Sequence, residues 1–236
     1  MKTLASRVDV IDWQEVIHDL DRCGVAELGP LLNITECQQF VSLYDSDDLY
    51  RSTINMARFR FGEGEYRYFA DPLPSLIGEL RGALWPHLLP IAREWMVRLN
   101  RPDSWPDDFA EWTSICAEAG QSRPTPLILR YEPGGWNALH RDLYGELVFP
   151  LQVVVGLSQP DIDYAGGEFI TVEQRPRAQS RASTFALPQG HALVFTTRDR
   201  PLRTQRGWTA APIRHGISTI RTGRRYALGI IFHGAK

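Results

Sequence analysis

The second half of the chain is a series of short apolar runs with turn residues between them. Six runs rich in β-branched and aromatic residues follow Pro126, and glycine- or proline-bearing turns separate them. Several short strands without intervening helices are typical of a β-sandwich or a jelly roll. The predicted strands cover residues 127–131, 147–157, 168–172, 192–196, 217–220 and 226–232.

Helical periodicity dominates the first half instead. Pro86 and Pro90 interrupt the longest periodic segment, so we expect a kink or two shorter helices there. The 236 residues suit one α+β domain, in which residues 1–126 are mainly helical support and residues 127–236 form the β core. The predicted helices cover residues 12–22, 33–44 and 75–99, and residues 100–126 are predicted to be mainly loop.

The segment RFRFGEGEYRYF, residues 58–69, stands apart because arginines and aromatic residues alternate around two glycines. This pattern predicts a β-hairpin with one aromatic face. Two interpretations stay open: the hairpin packs on the core, or it is a lid whose rings and guanidinium planes stack on a flat ligand. The candidate substrate-binding residues are Tyr66, Arg67 and Tyr68 in this segment, and Trp136 and Tyr144 beyond it.

Cysteine usage and hydropathy favour a cytoplasmic protein. The three cysteines are scattered, with no CxxC pair and no even set for a disulfide framework, which favours a reducing compartment. The first residues lack the apolar core of a signal peptide. The longest apolar stretch, residues 147–157, has about half the length of a membrane span. We therefore expect no membrane partner.

Charge is unevenly distributed, although the formal net charge is only −2. Residues 175–225 hold eleven arginines and a single acid, Asp199, whereas residues 1–174 hold 14 basic and 27 acidic residues. A strongly basic segment suits a polyanion. DNA or RNA is therefore a candidate partner of residues 175–225, and the alternative is that these arginines neutralise the acidic first half.

His140 and Asp142 lie two residues apart, a spacing that points both side chains to the same face of a strand. His215, at the start of a later predicted strand, is the candidate third ligand of a metal. Two imidazoles and one carboxylate form the facial triad of non-haem Fe(II) oxygenases, which leaves coordination positions open for a cosubstrate and O2. The sequence therefore predicts an iron site at these three residues.

Arg225 and Tyr131 are the candidate contacts of an anionic cosubstrate. Arg225 follows His215 by ten residues across a turn, so two adjacent antiparallel strands would return its guanidinium to the metal. Tyr131 precedes His140 by nine residues, on the strand that enters a Pro-Gly-Gly turn. A guanidinium and a phenol inside a barrel suit the carboxylate of a dicarboxylic acid, through an ion pair and a hydrogen bond.

In order and spacing, these motifs resemble the 2-oxoglutarate/Fe(II) dioxygenase superfamily across residues 127–233. The motifs are Tyr-Glu-Pro-Gly from Tyr131, His140-x-Asp142, Gly166-Gly167-Glu168-Phe169, Leu187-x-x-Gly190, and His215 followed by Gly223-x-Arg225-Tyr226-x-Leu228. The resemblance implies a double-stranded β-helix that uses Fe(II), 2-oxoglutarate and O2. The residues implied are His140, Asp142 and His215 for the metal, and Arg225, Tyr131 and, as a further contact, Gln152 for 2-oxoglutarate.

Two branches of the superfamily compete. The Tyr131-to-His140 and His215-to-Arg225 spacings look like prolyl 4-hydroxylases, whereas the motif around Arg225 also looks like the AlkB-type demethylases of alkylated nucleic acids. Taken whole, the chain looks most like a bacterial oxygenase family thought to demethylate damaged DNA. We therefore expect a dioxygenase that oxidatively demethylates alkylated nucleic acid. The alternatives are a protein (prolyl-type) or small-molecule hydroxylase and a non-catalytic metal-binding jelly roll.

Overall fold

The computed structural model describes residues 3–142, 145–175 and 178–236. The helices in these ranges are α1 (Leu4–Val8), α2 (Trp13–Cys23), α3 (Ile34–Leu43), α4 (Ser75–Leu99) and α5 (Phe109–Glu118). The strands are β1 (Val25–Pro30), β2 (Tyr50–Asn55), β3 (Gly62–Glu63), β4 (Glu65–Phe69), β5 (Leu127–Tyr131), β6 (Trp136–His140), β7 (Leu151–Gly156), β8 (Tyr164–Gly166), β9 (Phe169–Glu173), β10 (Arg181–Phe185), β11 (His191–Thr196), β12 (Asp199–Thr204), β13 (Gly207–Ile217), β14 (Ile220–Gly223) and β15 (Arg225–Ile230).

Two antiparallel sheets line opposite sides of one cavity. The larger sheet has the strand order β1-β11-β7-β15-β5-β4-β2. The smaller sheet has the order β10-β9-β13-β6-β3, and β12 pairs with β13 as a hairpin. The predicted α+β class with a jelly-roll core is confirmed.

Helices cover the outer face of the larger sheet. Trp85 of α4 and Trp112 of α5 are fully buried and pack with Phe149 and Phe232 in one aromatic cluster. Each large aromatic side chain removes a large apolar area from water. The opposite face of the same sheet is thereby left to line the cavity.

The helix predictions are confirmed for α2 and α3 and need two corrections. The Asp12 side chain caps the N-terminus of α2, and Gly24 ends the helix in the left-handed conformation with φ +74°. Residues 75–99 were predicted to form a kinked helix or two shorter helices, and the second alternative is wrong, because α4 is helical without a break across Pro86 and Pro90. Its eleven buried side chains supply packing that offsets the two missing N–H donors.

The second correction concerns residues 100–126, where the sequence predicted mainly loop. The structure has α5 there, a helix of ten residues. The Asp108 side chain caps it by accepting a hydrogen bond from the Ala110 N–H, and Trp112 and Cys116 are its buried residues. The prolines and aspartates before this helix are typical of a loop, so the short amphipathic segment after them was not recognised as a helix. Tertiary packing stabilises it.

Residues 58–69 do not form the predicted hairpin. β3 pairs with β6 in the smaller sheet, whereas β4 pairs with β2 and β5 in the larger sheet. Gly64 alone separates the two strands, with φ +150°, and a Cβ there would lie 2.8 Å from the Tyr131 ring. The glycine therefore sends the chain from one sheet to the other instead of folding it back on itself.

The first half of the chain contributes strands as well as helices. β1 pairs with β11, and β2 and β4 extend the sheet beyond β5.

No helix among the described residues is long and apolar enough to cross a membrane. Cys23, Cys37 and Cys116 are free thiols.

Candidate active site

A cavity of about 270 Å³ lies between the two sheets. The larger sheet lines it with residues of β4, β5, β7, β11 and β15, and the smaller sheet with residues of β6, β9 and β13. The predicted metal ligands and the predicted cosubstrate contacts all belong to its lining: His140, Asp142, His215, Arg225, Tyr131 and Gln152. The β pairing therefore brings together residues that are up to 94 positions apart in the chain.

The three predicted metal ligands form one cluster. His140 and His215 are register partners on the adjacent strands β6 and β13, and Asp142 follows β6 instead of lying on the predicted strand. The Nε2 atom of His140 lies 3.4 Å from Asp142 Oδ1, and that of His215 lies 3.2 Å from Asp142 Oδ2. One donor atom from each residue lies within 4.8 Å of the others, which is the spacing of ligands around a single ion.

Neighbouring groups orient these ligands. The Ala138 carbonyl lies 2.7 Å from His140 Nδ1, so the Nε2 atom of this ring faces the cluster. The Gln152 amide donates a hydrogen bond of 2.8 Å to Asp142 Oδ2. Phe169 stacks on the His215 ring and Phe195 meets it edge-on, with centroids 5.8 and 4.8 Å away. The cluster is therefore held by hydrogen bonds on one side and by aromatic packing on the other.

The pKa values of these side chains favour a cluster that contains a carboxylate and can bind a cation. Burial opposes ionisation of Asp142, but hydrogen bonds with His140 and His215 hold the pKa of its carboxyl well below the ordinary value. Burial lowers the pKa of His215, whereas Asp142 outweighs burial and raises the pKa of His140. Asp142 is therefore a carboxylate near neutral pH, and the more deeply buried imidazole is the neutral one.

Arg225 and Tyr131 face each other next to this cluster. They are register partners on β15 and β5, and the Arg225 Cζ atom lies 5.7 Å from the centre of the Tyr131 ring. Arg225 is 1% exposed and Tyr131 is fully buried. Burial raises the pKa of the Tyr131 phenol to about 12, so the hydroxyl keeps its proton. A buried cation and a hydrogen-bond donor thus share one end of the cavity.

Gly167 makes room for the Arg225 side chain. Its φ is +66°, and a Cβ at this position would lie 2.9 Å from Arg225 Cδ and 2.3 Å from Ile220 Cδ1. A larger residue would strain the backbone and displace the guanidinium. The position of Arg225 therefore explains why the Gly-Gly motif before β9 has a glycine at residue 167.

The donor set fits the groups that the sequence predicted. Two imidazole nitrogens and one carboxylate oxygen are the facial ligand set of non-haem Fe(II). Among the described residues, Arg225 makes no ion pair, and neither its Nε and Nη2 atoms nor the Tyr131 hydroxyl has a hydrogen bond of ordinary geometry. Buried donors without acceptors are costly, and a carboxylate would satisfy both residues at once. Fe(II) and 2-oxoglutarate therefore fit this site.

Sequence reasoning missed Asn137, which lines the cavity from β6. Its amide lies close enough to the Tyr131 phenol to lower that group's pKa, against the larger effect of burial. Strand alternation from His140 would point Asn137 outward, but the register with β13 shifts between Asn137 and His140. This bulge turns both side chains to the same side, and no sequence signal marks it.

Only some of the five predicted substrate-binding residues line the cavity. Tyr66 and Tyr68 line the cavity, with their rings edge-on at 5.4 Å. Arg67 lies on the opposite face of β4, where it pairs with Asp47 and its guanidinium lies over the Tyr44 ring. Trp136 is 40% exposed and does not belong to the cavity lining. Tyr144 lies outside the described residues. Their roles stay predictions.

Five of the ten described arginines in the basic segment 175–225 pair with acids. Among its described arginines, Glu173 pairs with Arg175 and Arg200, and Asp199 pairs with Arg198. Two further acids, Glu168 and Glu132, pair with arginines of the second half of the segment, Arg221 and Arg224. Much of the positive charge that the sequence predicted for a polyanion is therefore offset within the fold.

The fold is similar to that of solved dioxygenases. A Pseudomonas putida prolyl-4-hydroxylase superposes with a TM-score of 0.56 at 13% identity, over 96% of both chains. A Trichoplax adhaerens prolyl hydroxylase, solved in complex with a hypoxia inducible factor oxygen degradation domain peptide fragment, gives 0.57 at 17% identity, over 97% of this chain and 92% of that chain. A Burkholderia pseudomallei oxidoreductase of the 2OG-Fe(II) oxygenase family gives 0.51 at 17% identity, over 95% and 93%. These likenesses show the fold.

Sequence relatives cover most of the chain. Two proteins of Mycobacterium tuberculosis, the uncharacterized proteins MT2286 and Rv2227, are each 62% identical over 167 residues, which is 71% of this chain and 72% of theirs. The sequence model of the Oxygenase-NA family, described as oxygenases catalysing oxidative methylation of damaged DNA, matches residues 64–235. That range includes every residue of the predicted metal cluster and its cosubstrate contacts. The protein therefore belongs to the Oxygenase-NA family and is an oxygenase.

Proposed function

We propose that the protein is an Fe(II)- and 2-oxoglutarate-dependent dioxygenase that removes methyl groups from alkylated nucleic acid by oxidation. The observation that carries this proposal is the buried Arg225, which lines the same cavity as His140, Asp142 and His215 and has no acidic partner among the described residues. A structural metal needs no such cation beside it. A dicarboxylate cosubstrate supplies the anion that the guanidinium lacks.

The residues that line the cavity have different roles, which depend on their positions. Bound Fe(II) with 2-oxoglutarate supplies the oxidising power for a C–H bond. His140, Asp142 and His215 would hold the metal, and the hydrogen bond from Gln152 would fix the orientation of the Asp142 carboxylate. Arg225 binds the distal carboxylate of the cosubstrate by an ion pair, and Tyr131 donates a hydrogen bond to it.

Apolar side chains keep water away from the reacting groups. Phe169 and Phe195 pack against His215, and Ile217 extends the same wall along β13. Tyr66 and Tyr68 close the side of the cavity that β4 lines. A cavity that excludes water protects a strong oxidant from side reactions and strengthens the electrostatic interactions inside it.

Two observations support nucleic acid as the substrate class. The description of the matching family names damaged DNA. Tyr66 and Tyr68 give the cavity aromatic walls, which suit the flat face of a base turned out of its stack. Hydroxylation of an N-methyl carbon gives an N-hydroxymethyl group, which releases formaldehyde and leaves the N–H. Oxidation at such a group therefore removes the methyl group.

A product assay tests the proposal. Purified protein with Fe(II), ascorbate, 2-oxoglutarate and methylated single- or double-stranded oligonucleotides should form formaldehyde and succinate in equal amounts. His140→Ala should abolish both products and metal binding, whereas His18→Ala, an exposed histidine of α2, should keep them. Succinate without formaldehyde from every methylated oligonucleotide would contradict the nucleic-acid substrate, and no 2-oxoglutarate turnover with any substrate would contradict the enzyme.

A prolyl-type protein hydroxylase is the second candidate, because prolyl hydroxylases are among the solved structures with this fold. In this case a proline-containing peptide should yield a hydroxylated product with succinate and no formaldehyde. The same assay with peptide in place of oligonucleotide separates the two candidates. A small-molecule hydroxylase would give succinate with neither macromolecule.

We also place the protein in the cytoplasm. All three of its cysteines are free thiols, and two of them, Cys37 and Cys116, are buried. Burial raises the pKa of both thiols, so these residues behave as small apolar side chains. Fluorescence of a tagged chain in intact cells tests this location, and export of the protein would contradict it.

A further inference from the structure

Four consecutive residues before β3, two basic and two aromatic, have exposed side chains. Phe59 and Phe61 are 54% and 47% exposed, and their rings stack with centroids 5.6 Å apart. Arg58 and Arg60 alternate with them and are exposed. Phe61 also lines the cavity, as does Arg141, the residue after His140. Arg58, Phe59, Arg60, Phe61 and Arg141 are called the Phe–Arg rim below.

The backbone of the Phe–Arg rim is held firmly although its side chains are exposed. Met56 is fully buried, its N–H donates to the Gly64 carbonyl, and its carbonyl accepts from the Phe61 N–H. The Phe61 carbonyl in turn accepts a hydrogen bond of 2.7 Å from the Ala138 N–H on β6. Two exposed rings on a fixed backbone form a preorganised contact surface, which lowers the conformational entropy that the protein loses when it binds a ligand.

The Phe–Arg rim is also positively charged without a counter-charge. Within the part of the chain that the structure describes, Arg58, Arg60 and Arg141 form no ion pair with an acid. The acids of the same segment, Glu63 and Glu65, line a different cavity. Unpaired guanidinium groups beside exposed rings are complementary to a ligand that carries both flat π faces and negative charge.

We propose that the Phe–Arg rim binds the unpaired nucleotides next to the one that enters the cavity, so that the substrate is single-stranded or locally unpaired nucleic acid. This inference rests on the proposed function. Phe59 and Phe61 stack on bases, and the arginines between them contact phosphates. The bases of a duplex already stack on each other, so a duplex reaches these rings only after unstacking.

Binding measured without turnover tests the Phe–Arg rim. The full chain without 2-oxoglutarate is titrated into a labelled oligonucleotide of about 12 nucleotides, as a single strand and as a duplex, and anisotropy is read. The wild-type protein should prefer the single strand. The double variant Phe59→Ala, Phe61→Ala should bind it roughly tenfold or more weakly, because stacking on an aromatic residue contributes that much per base. Phe59→Tyr, Phe61→Tyr should keep the affinity, because its rings still stack.

Charge variants give the matched control. The double variant Arg58→Gln, Arg60→Gln should lower the slope of log affinity against log salt concentration by about 1.4, because two phosphate contacts on a single strand are lost. Arg181→Gln, Arg206→Gln removes the same charge from two exposed arginines of the basic segment and should leave the slope unchanged. Thermal unfolding of each variant establishes that the fold is kept.

Four results would overturn the proposal: rim variants that bind like the wild type, an equal loss in the Arg181→Gln, Arg206→Gln control, tighter binding of the duplex, or rim-dependent binding of a polyglutamate peptide with no binding of oligonucleotide. The last result would assign the surface to an acidic protein. Failure of the proposed function is a separate result, because it is read from formaldehyde and not from affinity. Formaldehyde release with unchanged affinity in the rim variants would overturn the Phe–Arg rim alone.

Discussion

Two arginine-rich regions of the molecule differ in what their guanidinium groups contact. In residues 175–225, five described arginines pair with carboxylates, and Arg203 lies over the Trp208 ring. In the Phe–Arg rim, no arginine has an acidic partner among the described residues. The sequence favours the first region as the polyanion site because it holds more arginines. The structure shows that carboxylates pair with half of the described arginines of that region, although others, such as Arg181 and Arg206, are exposed and form no ion pair among the described residues. In the Phe–Arg rim, all three arginines lack such a pair, and two exposed aromatic rings belong to the same surface.

Arg200 is an example of an arginine that is both buried and paired with an acid. Its side chain is 3% exposed, its Nε atom donates to Glu173 at 2.6 Å, and its Nη1 atom donates to the Asp21 carbonyl on α2. This arginine joins the β12–β13 hairpin to β9 and to a helix. Its charge is satisfied inside the fold and is not available to a ligand, and the loss of its partner would leave an uncompensated buried cation.

The largest expected effect comes from breaking this buried pair. Glu173→Ala leaves the Arg200 guanidinium buried without its carboxylate, so the free energy of unfolding should fall by about 3 kcal/mol. Urea unfolding with an unchanged m value measures this loss. Glu118→Ala, at an exposed acid of α5, should change stability by less than about 0.5 kcal/mol. Equal stability of the Glu173→Ala and Glu118→Ala variants would refute the structural role of the pairing.

The opposite sign is expected at Arg225, the buried arginine of the same segment that has no acid. Arg225→Met replaces an uncompensated buried charge by an apolar side chain of similar length, so the ligand-free protein should become more stable by about 1 kcal/mol. Arg224→Met, at its exposed neighbour paired with Glu132, should have little effect. A loss of stability in Arg225→Met as large as that in Glu173→Ala would mean that Arg225 serves the fold and not a ligand.

A smaller loss of stability than in Glu173→Ala is expected at Asp199, whose arginine partners are partly exposed. Asp199 accepts two hydrogen bonds from Arg101, at 2.8 and 3.0 Å, and lies 3.6 Å from Arg198. Because water screens both arginines, Asp199→Asn should destabilise the protein by about 1 kcal/mol. The midpoint of thermal unfolding measures the change, which should shrink at high salt. A change that is independent of salt would show that the effect is not electrostatic.

The smallest effect on stability belongs to the Phe–Arg rim. The double variant Arg58→Gln, Arg60→Gln removes two exposed charges without acidic partners, so the free energy of unfolding should change by less than about 0.5 kcal/mol. The same variant should lose salt-sensitive binding. Together these results would separate arginines that stabilise the fold from arginines that bind a ligand. A stability loss comparable to that of Asp199→Asn would remove this distinction.

The candidate metal ligands were predicted from the spacing of His140 and Asp142, from a third histidine on a later strand and from the resemblance to a known superfamily, and the structure brings the three residues together. Arg225 and Tyr131 were each predicted to contact the cosubstrate, and the antiparallel pairing of β15 with β5 makes them register partners. Asn137 was not predictable, because a bulge in β6 reverses its direction. Alternation along β4 already separates Arg67 from Tyr66 and Tyr68, and the structure follows it.

The charge pairing could not be read from the sequence, because its partners are distant along the chain. Arg101 and Asp199 are 98 residues apart, and Arg200 meets a carboxylate from a different strand pair. Composition reports how many arginines a segment holds but not which acids the fold brings to them. The predicted hairpin at residues 58–69 was wrong for a related reason, since Gly64 connects two sheets that sequence alone does not separate.

The central claim is that the buried Arg225 binds the distal carboxylate of a dicarboxylic cosubstrate next to the metal cluster. Equilibrium binding to the metal-loaded protein without O2 tests it, with 2-oxoglutarate and with 2-oxobutyrate, which lacks that carboxylate. The wild-type protein should prefer 2-oxoglutarate by roughly a hundredfold, which corresponds to about 2.7 kcal/mol for a buried ion pair. Arg225→Met should lose this preference while it still binds the metal. An equal preference in the wild type and in Arg225→Met would contradict the claim.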